Sequence, residues 1–154
     1  MSRSPGIGFG TADGEAGPMP RPLRVLVVDD EQDTVAMLTA ILRTQGHEVR
    51  SLDRGYEVLA AVAGFEPDAV LLDIGLADVS GYELCRAIRE RHGIARPLLI
   101  AISGRYTRGS DRVLSAMNGF NHYLVKPCDP QKVIDLLGAL ALPAAPRWVG
   151  PAAG

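Results

Sequence analysis

Three short runs of this chain, Arg24–Val28, Ala69–Leu72 and Leu98–Ile102, are apolar almost from end to end. A strand with one wet face alternates polar and apolar residues, whereas a strand covered on both faces has no reason to. Runs this short and uniform therefore predict parallel strands with a layer of structure on each side. Glu48–Leu52 alternates instead, as an edge strand does, and Tyr123–Val125 reads as a brief fifth strand at the other edge.

Between the runs, apolar residues recur at helical spacing. Val35, Leu38, Ile41, Leu42 and Gln45 mark one face of a first helix of about ten to fifteen residues, with Gly46 as its C-terminal stop. Tyr56–Phe65 is a second, Ala-rich helix, separated from the next strand by Pro67 and Asp68. Ser80 caps a third, in which Leu84 and Ile88 share a face and His92-Gly93 lie at the end. The fourth begins near Ser110-Asp111, with Val113, Leu114 and Met117 as its apolar side. The fifth has Asp129 at the N-cap and Pro130 at the first helical position, then Val133, Leu136, Leu137 and Leu140 on one face. Five strand–helix units within about 120 residues predict right-handed crossovers, a parallel sheet and helices on both of its faces, a doubly wound α/β domain.

The 154 residues suit one domain, at roughly 100–200 residues each. That domain is expected over 22–142, with Gly- and Pro-rich flexible tails at 1–21 and 143–154, the second carrying Trp148 as a possible docking residue. Sixteen Lys and Arg against eighteen Asp and Glu leave a formal charge of −2, so no global basic field holds nucleic acid or an anionic membrane. The longest apolar run, Val58–Ala63, falls far short of the roughly 20 residues that cross a bilayer. The first residues lack the apolar stretch of a secretory signal, and a cytoplasmic protein is expected. Cys85 and Cys128 have neither CxxC nor His spacing, which predicts two reduced thiols used in packing.

In open sheets of this kind ligands bind outside the carboxyl ends of the strands. There the first strand runs into Asp29-Asp30-Glu31, the third into Asp73, the fourth into Ser103-Gly104 and the fifth into Lys126-Pro127. A parallel sheet gathers these groups on one edge. Carboxylates so gathered repel, by roughly 4 kcal/mol for a pair about 4 Å apart at an effective dielectric of about 20. A divalent cation with oxygen ligands and open water positions, Mg²⁺ rather than Ca²⁺, relieves that repulsion, and Lys126 adds positive charge. Both serve phosphoryl transfer, and a carboxylate can itself be the nucleophile. Each residue also has a plainer use: Asp29-Asp30-Glu31 as caps for the first helix, Asp73 as the start of a turn before Gly75, Ser103-Gly104 as a loop, Lys126 as a solvated strand end.

The stretches Val27-Val-Asp-Asp-Glu31, Val70-Leu-Leu-Asp-Ile-Gly-Leu76 followed by Ser80-Gly81-Tyr82, Ala101-Ile-Ser-Gly104 and Tyr123-Leu-Val-Lys-Pro127 resemble, in order and spacing, the response-regulator receiver domain of two-component signalling. The likeness covers about Pro22 to Leu142. It implies a flavodoxin-like fold with strand order 2-1-3-4-5. It also implies roles: Asp73 as phosphoacceptor, Asp29 and Asp30 as the acidic pair for Mg²⁺ (Asp30 directly, Asp29 through water), and Gly75 as a backbone carbonyl ligand. Lys126 would pair with the acceptor carboxylate and then the phosphoryl oxygens, Ser103 would bind the phosphoryl group, and Tyr123 would be the aromatic switch. Lys126-Pro127 matches the family's cis peptide bond. The implied partners are a histidine kinase or histidine phosphotransfer protein and a downstream protein docking on the face of the fourth helix, fifth strand and fifth helix, with the chain a monomer or weak dimer.

Two features depart from the pattern. Ala77 stands where many relatives have Pro, which predicts a less rigid loop, and bulky Arg105-Tyr106 follow Ser103-Gly104. No output domain follows the last helix, so the expectation is a single-domain switch that assists only its own phosphorylation and dephosphorylation and is not otherwise an enzyme. The alternatives are a degenerate receiver acting as a phosphorylation-independent module, disfavoured by the full acidic set with Lys126, and a Mg²⁺-dependent aspartyl phosphatase. The latter is disfavoured because Asp73-Ile-Gly has no second acid two residues on.

Overall fold

The computed structural model describes residues 21–104 and 109–142. In chain order these form β1 (Arg24–Val28), α1 (Gln32–Thr44), β2 (Glu48–Leu52), a single 3₁₀ turn (Gly55–Glu57), α2 (Val58–Phe65), β3 (Ala69–Asp73), α3 (Gly81–His92), β4 (Leu98–Ser103), α4 (Gly109–Asn118), β5 (His122–Val125) and α5 (Pro130–Ala141). All four strand pairings are parallel and the order is β2-β1-β3-β4-β5. This is the doubly wound, flavodoxin-like α/β arrangement, with the alternating strand β2 and the short β5 at the edges.

The described residues fall into two units, one of Pro22–Leu137 and one that takes in Arg21 and residues 138–142, within which the Arg21 N–H donates to the Ala141 carbonyl at 3.0 Å. The tails, Trp148 and Arg105-Tyr106 lie outside the described residues.

Strand parity builds the core of the larger unit. Leu26, Val28, Val70, Leu72, Leu99 and Ala101 share one face with Val58 and Val62 of α2 and Leu84, Cys85 and Ile88 of α3. The strand residues of opposite parity, Val25, Val27, Leu71, Ile100 and Ile102, are equally buried, as are Leu38 and Leu42 of α1 and Val133 and Leu137 of α5. Because both faces are covered, the runs that end β1, β3 and β4 need no polar residue until they reach the sheet's carboxyl edge.

Helix punctuation follows local chemistry. Gly46 takes φ of +94° just past α1, where a side chain would be strained. Ser80 Oγ accepts from the Tyr82 N–H at 3.2 Å, and Asp129 Oδ1 accepts from the Gln131 N–H at 2.9 Å. Gln45, expected on the buried face of the first helix, is instead exposed at its C-cap, because the chain is already turning into Gly46. The apolar side expected for α4 is corrected more sharply: Val113, Leu114 and Met117 are exposed, and among the described side chains of α4 it is Ser115 that is buried. Leu136 and Leu140 of α5 are half-buried.

Candidate functional site

The sheet ladder continues beyond the strand ends and fixes the groups there. The Asp29 N–H donates to Leu52 O at 3.1 Å, Ile74 N–H to Ile102 O at 2.9 Å, and Lys126 N–H to Ser103 O at 2.7 Å. Asp29, Asp73 and Lys126 therefore leave backbone that is held on the neighbouring strand. Asp30, Glu31, Thr34, Asp73, Gly75, Gly104, Lys126 and Pro127 line an open crevice of about 740 Å³ at this edge.

Within it, ligand atoms from Asp29, Asp30 and Asp73 all lie within 4.8 Å of one another. Asp29 and Asp73 are buried and Asp30 is exposed. The Lys126 ammonium sits 2.8 Å from Asp29 Oδ2, 3.3 Å from Glu31 Oε1 and 3.4 Å from Asp73 Oδ2. It thus rests nearest Asp29, not nearest the expected acceptor. Burial raises the pKa of Asp29, and the Lys126 bond offsets only part of that. For Lys126, burial alone works against the charged form, but the bond to Asp29 and the charges of Asp73 and Asp29 outweigh it and raise its pKa, so the amine stays protonated.

The plainer uses are partly real as well. Asp29 Oδ1 accepts from the Glu31 N–H at 2.9 Å, and Asp73 Oδ1 accepts from the Gly75 N–H at 2.8 Å, so each acid also shapes its own turn. Neither exhausts its carboxylate. Glu31 occupies the N-cap of α1 without a side-chain cap bond, so helix capping does not account for the acidic run.

Other expected residues sit outside the crevice lining. Ser103 is buried at the end of β4, paired with Val125 of β5. Tyr123 lies on β5 with the Arg112 guanidinium 4.8 Å from its ring centroid, and its hydroxyl is buried with no hydrogen-bond partner among the described residues. The Lys126-Pro127 peptide bond is cis, as is Arg96-Pro97.

Three contacts had no expected role. Glu31 joins the Lys126 cluster, and its Oε1 accepts from Thr34 Oγ1 at 2.6 Å. Tyr82 on α3 donates to Asp111 Oδ1 on α4 at 3.3 Å, tying two helices beside Tyr123. Asp78, in the loop after β3, accepts from the Gly55 and Tyr56 N–H groups at 2.9 and 3.0 Å. Glu31 was readable as part of the acidic run; the other two pairings span too much sequence to leave a local signal.

The chain matches the family model of the response regulator receiver domain over residues 25–138. It belongs to the response regulator receiver domain family. Among curated relatives, the receiver domain is similar to the DNA-binding response regulator MtrA of Mycobacterium tuberculosis (strain ATCC 25618 / H37Rv), at 35% identity over 111 residues, 72% of this chain and 47% of that protein. It is also similar to the transcriptional regulatory protein TcrA of the same organism, at 32% identity over 139 residues, 90% of this chain and 51% of that protein. The chain therefore spans about half the length of the curated relatives it matches.

Among solved structures, a CheY-like response regulator receiver domain protein from Methanospirillum hungatei JF-1 superposes with a TM-score of 0.71 at 26% identity, covering 78% of this chain and 94% of that one. A signal receiver domain from Bermanella marisrubri gives 0.68 at 26% identity, over 76% and 96%. Among the described residues, no helix of this receiver domain is long and apolar enough to cross a membrane.

Proposed function

We propose that this receiver domain is a phosphorylation switch in which Asp73 accepts a phosphoryl group from a phosphohistidine on a histidine kinase or histidine phosphotransfer protein. The observation that carries the reading is the convergence of three carboxylates within 4.8 Å and one protonated amine 2.8–3.4 Å from Asp29 and Asp73. Like charges so close need a counter-ion, and one amine does not neutralise three acids. Asp29 Oδ2 is buried against the Lys126 ammonium at 2.8 Å, so the single amine is largely taken up by one acid and the oxygens of Asp30 and Asp73 are the donor set that suits a divalent cation.

Asp29, Asp30 and Asp73 with the Gly75 carbonyl would hold Mg²⁺, whose chemistry is to neutralise phosphoryl charge and acid–acid repulsion. The chain's own residues do the rest. The Gly75 N–H fixes one oxygen of Asp73 and leaves the other on the Lys126 side. A carboxylate oxygen of Asp73 attacks phosphorus, the P–N bond to the histidine breaks, and the electron pair leaves with the imidazole. Lys126, kept protonated, stays beside the oxygens that gain charge.

Ser103 would bind the phosphoryl group and Tyr123 would change its packing in response, altering the α4-β5-α5 surface. A Tyr123 hydroxyl with no hydrogen-bond partner among the described residues, and the outward-facing Val113, Met117 and Val125, support that assignment, since a side chain held by no such bond changes station at little cost and the adjoining surface is suited to a protein partner. The test is phosphotransfer from purified histidine kinases with Mg²⁺, read as radiolabel and intact mass on wild type and Asp73→Asn. Label on wild type and none on Asp73→Asn is the expected result; label kept by Asp73→Asn, or never acquired by wild type, overturns the reading.

A further inference from the structure

The loop that follows Asp73 carries Gly75, whose N–H holds the Asp73 carboxylate, and something must hold the loop. At its far end Gly81 approaches Ile74 so closely that a Cβ there would lie 2.5 Å from Ile74 Cα, and its N–H donates to Ile74 O at 3.3 Å. Between these points the loop has Ala77 rather than a ring-restrained residue, yet it is anchored elsewhere. Both Asp78 oxygens are engaged, Oδ1 by the Gly55 N–H at 2.9 Å and Oδ2 by the Tyr56 N–H at 3.0 Å, at the start of the 3₁₀ turn that leads into α2. The 3₁₀ turn supplies two backbone N–H groups, and the Asp78 carboxylate, 22–23 residues away, accepts one on each oxygen. The fit is close: a Cβ on Gly55 would stand 3.0 Å from Val79 Cβ and 3.2 Å from Asp78 Oδ1.

From this geometry we infer that Asp78 is a positioning residue for the phosphoacceptor: it fastens the β3–α3 loop to the start of α2 and so holds Gly75 against Asp73. The inference rests on the phosphoacceptor reading for its functional meaning but not for its structural test.

The experiment compares wild type, Asp78→Ala and Asp78→Asn by amide hydrogen exchange at Gly75, by Mg²⁺ titration calorimetry and by thermal unfolding. In Asp78→Ala, exchange at Gly75 should rise about tenfold and Mg²⁺ affinity should fall about three- to tenfold, with β1 and β4 core amides unchanged; tenfold corresponds to about 1.4 kcal/mol. Asp78→Asn keeps one acceptor oxygen and should recover part of both effects. If Asp78→Ala lowers only the melting temperature, with Gly75 exchange and Mg²⁺ affinity as in wild type, Asp78 merely closes the 3₁₀ turn and the inference fails. The Gly75 exchange is read without any phosphodonor, so it stands or falls separately from whether wild type takes up phosphate.

Discussion

The two ends of this one sheet handle charge in opposite ways. At the amino ends of the strands Asp68 and Glu48 each meet a base: Asp68 Oδ1 pairs with Arg96 at 3.2 Å, its Oδ2 accepts from the Arg24 N–H at 2.9 Å, and Arg24 Nε lies 3.7 Å from Glu48. Arg24 also donates to Phe65 O at 3.0 Å, and Arg50 stacks 4.4 Å from the Phe65 ring centroid. At the carboxyl ends, Asp29, Asp73 and Glu31 share one ammonium and Asp30 stands beside them. The amino edge is arranged for stability at neutral pH; the carboxyl edge keeps an excess of negative charge that folding alone does not reward. The difference teaches that one edge of the sheet closes its charges on one another while the other leaves them open to a cation.

The comparison breaks hardest at Lys126. Lys126→Ala leaves the buried Asp29 carboxylate without its cation, and urea denaturation should show a loss of roughly 3 kcal/mol, the lower end for a broken buried pair because the amine keeps some solvent contact. Next in size is the metal itself. Mg²⁺ at about 100 times its dissociation constant should stabilise wild type by roughly 2.7 kcal/mol, and Asp30→Asn or Asp73→Asn should lose most of that gain. At the opposite edge, Arg96→Ala removes an ion pair whose arginine is 70% exposed and should cost under about 1 kcal/mol, with no change in Mg²⁺ response.

The smallest effect is a pH dependence at the amino edge. His47 Nδ1 accepts from the Leu23 N–H at 3.0 Å, so the folded state favours neutral imidazole, and burial lowers its pKa below the ordinary 6.5. The unfolded chain takes up the proton first as pH falls. This contribution is therefore complete above about pH 6.5 and is lost as pH falls from there through the lower folded pKa. Melting temperatures at pH 7.5 and 5.5, for wild type and His47→Gln, should show a smaller drop in the variant; equal drops remove His47 from the account.

How much of this could be read in the sequence follows from the range of each interaction. Gly46, Ser80 and Asp129 act on backbone within a turn of themselves, so their positions were legible. The apolar runs told parallel from antiparallel because burial on both faces removes alternation, and the strand order then gathered Asp29, Asp30, Asp73 and Lys126. Periodicity, however, reports that a helix has an apolar side and not what covers it, which is why Val113, Leu114 and Met117 were expected inward and stand outward. The family resemblance named Asp73 as the partner of Lys126, and that contact is present at 3.4 Å; the closer approach to Asp29, at 2.8 Å, depends on side-chain placement that no sequence pattern reports. Asp78 carried no signal at all, since the N–H groups it holds belong to any residue type.

The two cysteines have a practical consequence. Both are buried and unpaired, Cys85 gives its Sγ–H to Asn118 O at 3.1 Å, and burial pushes its pKa up to about 11, with Cys128 also raised. At neutral pH roughly one Cys85 in ten thousand is thiolate, and the thiolate is the form that peroxide and alkylating reagents attack. Burial and the raised pKa together make both thiols poor nucleophiles, so alkylating reagents at neutral pH should label the folded domain slowly and the unfolded chain readily.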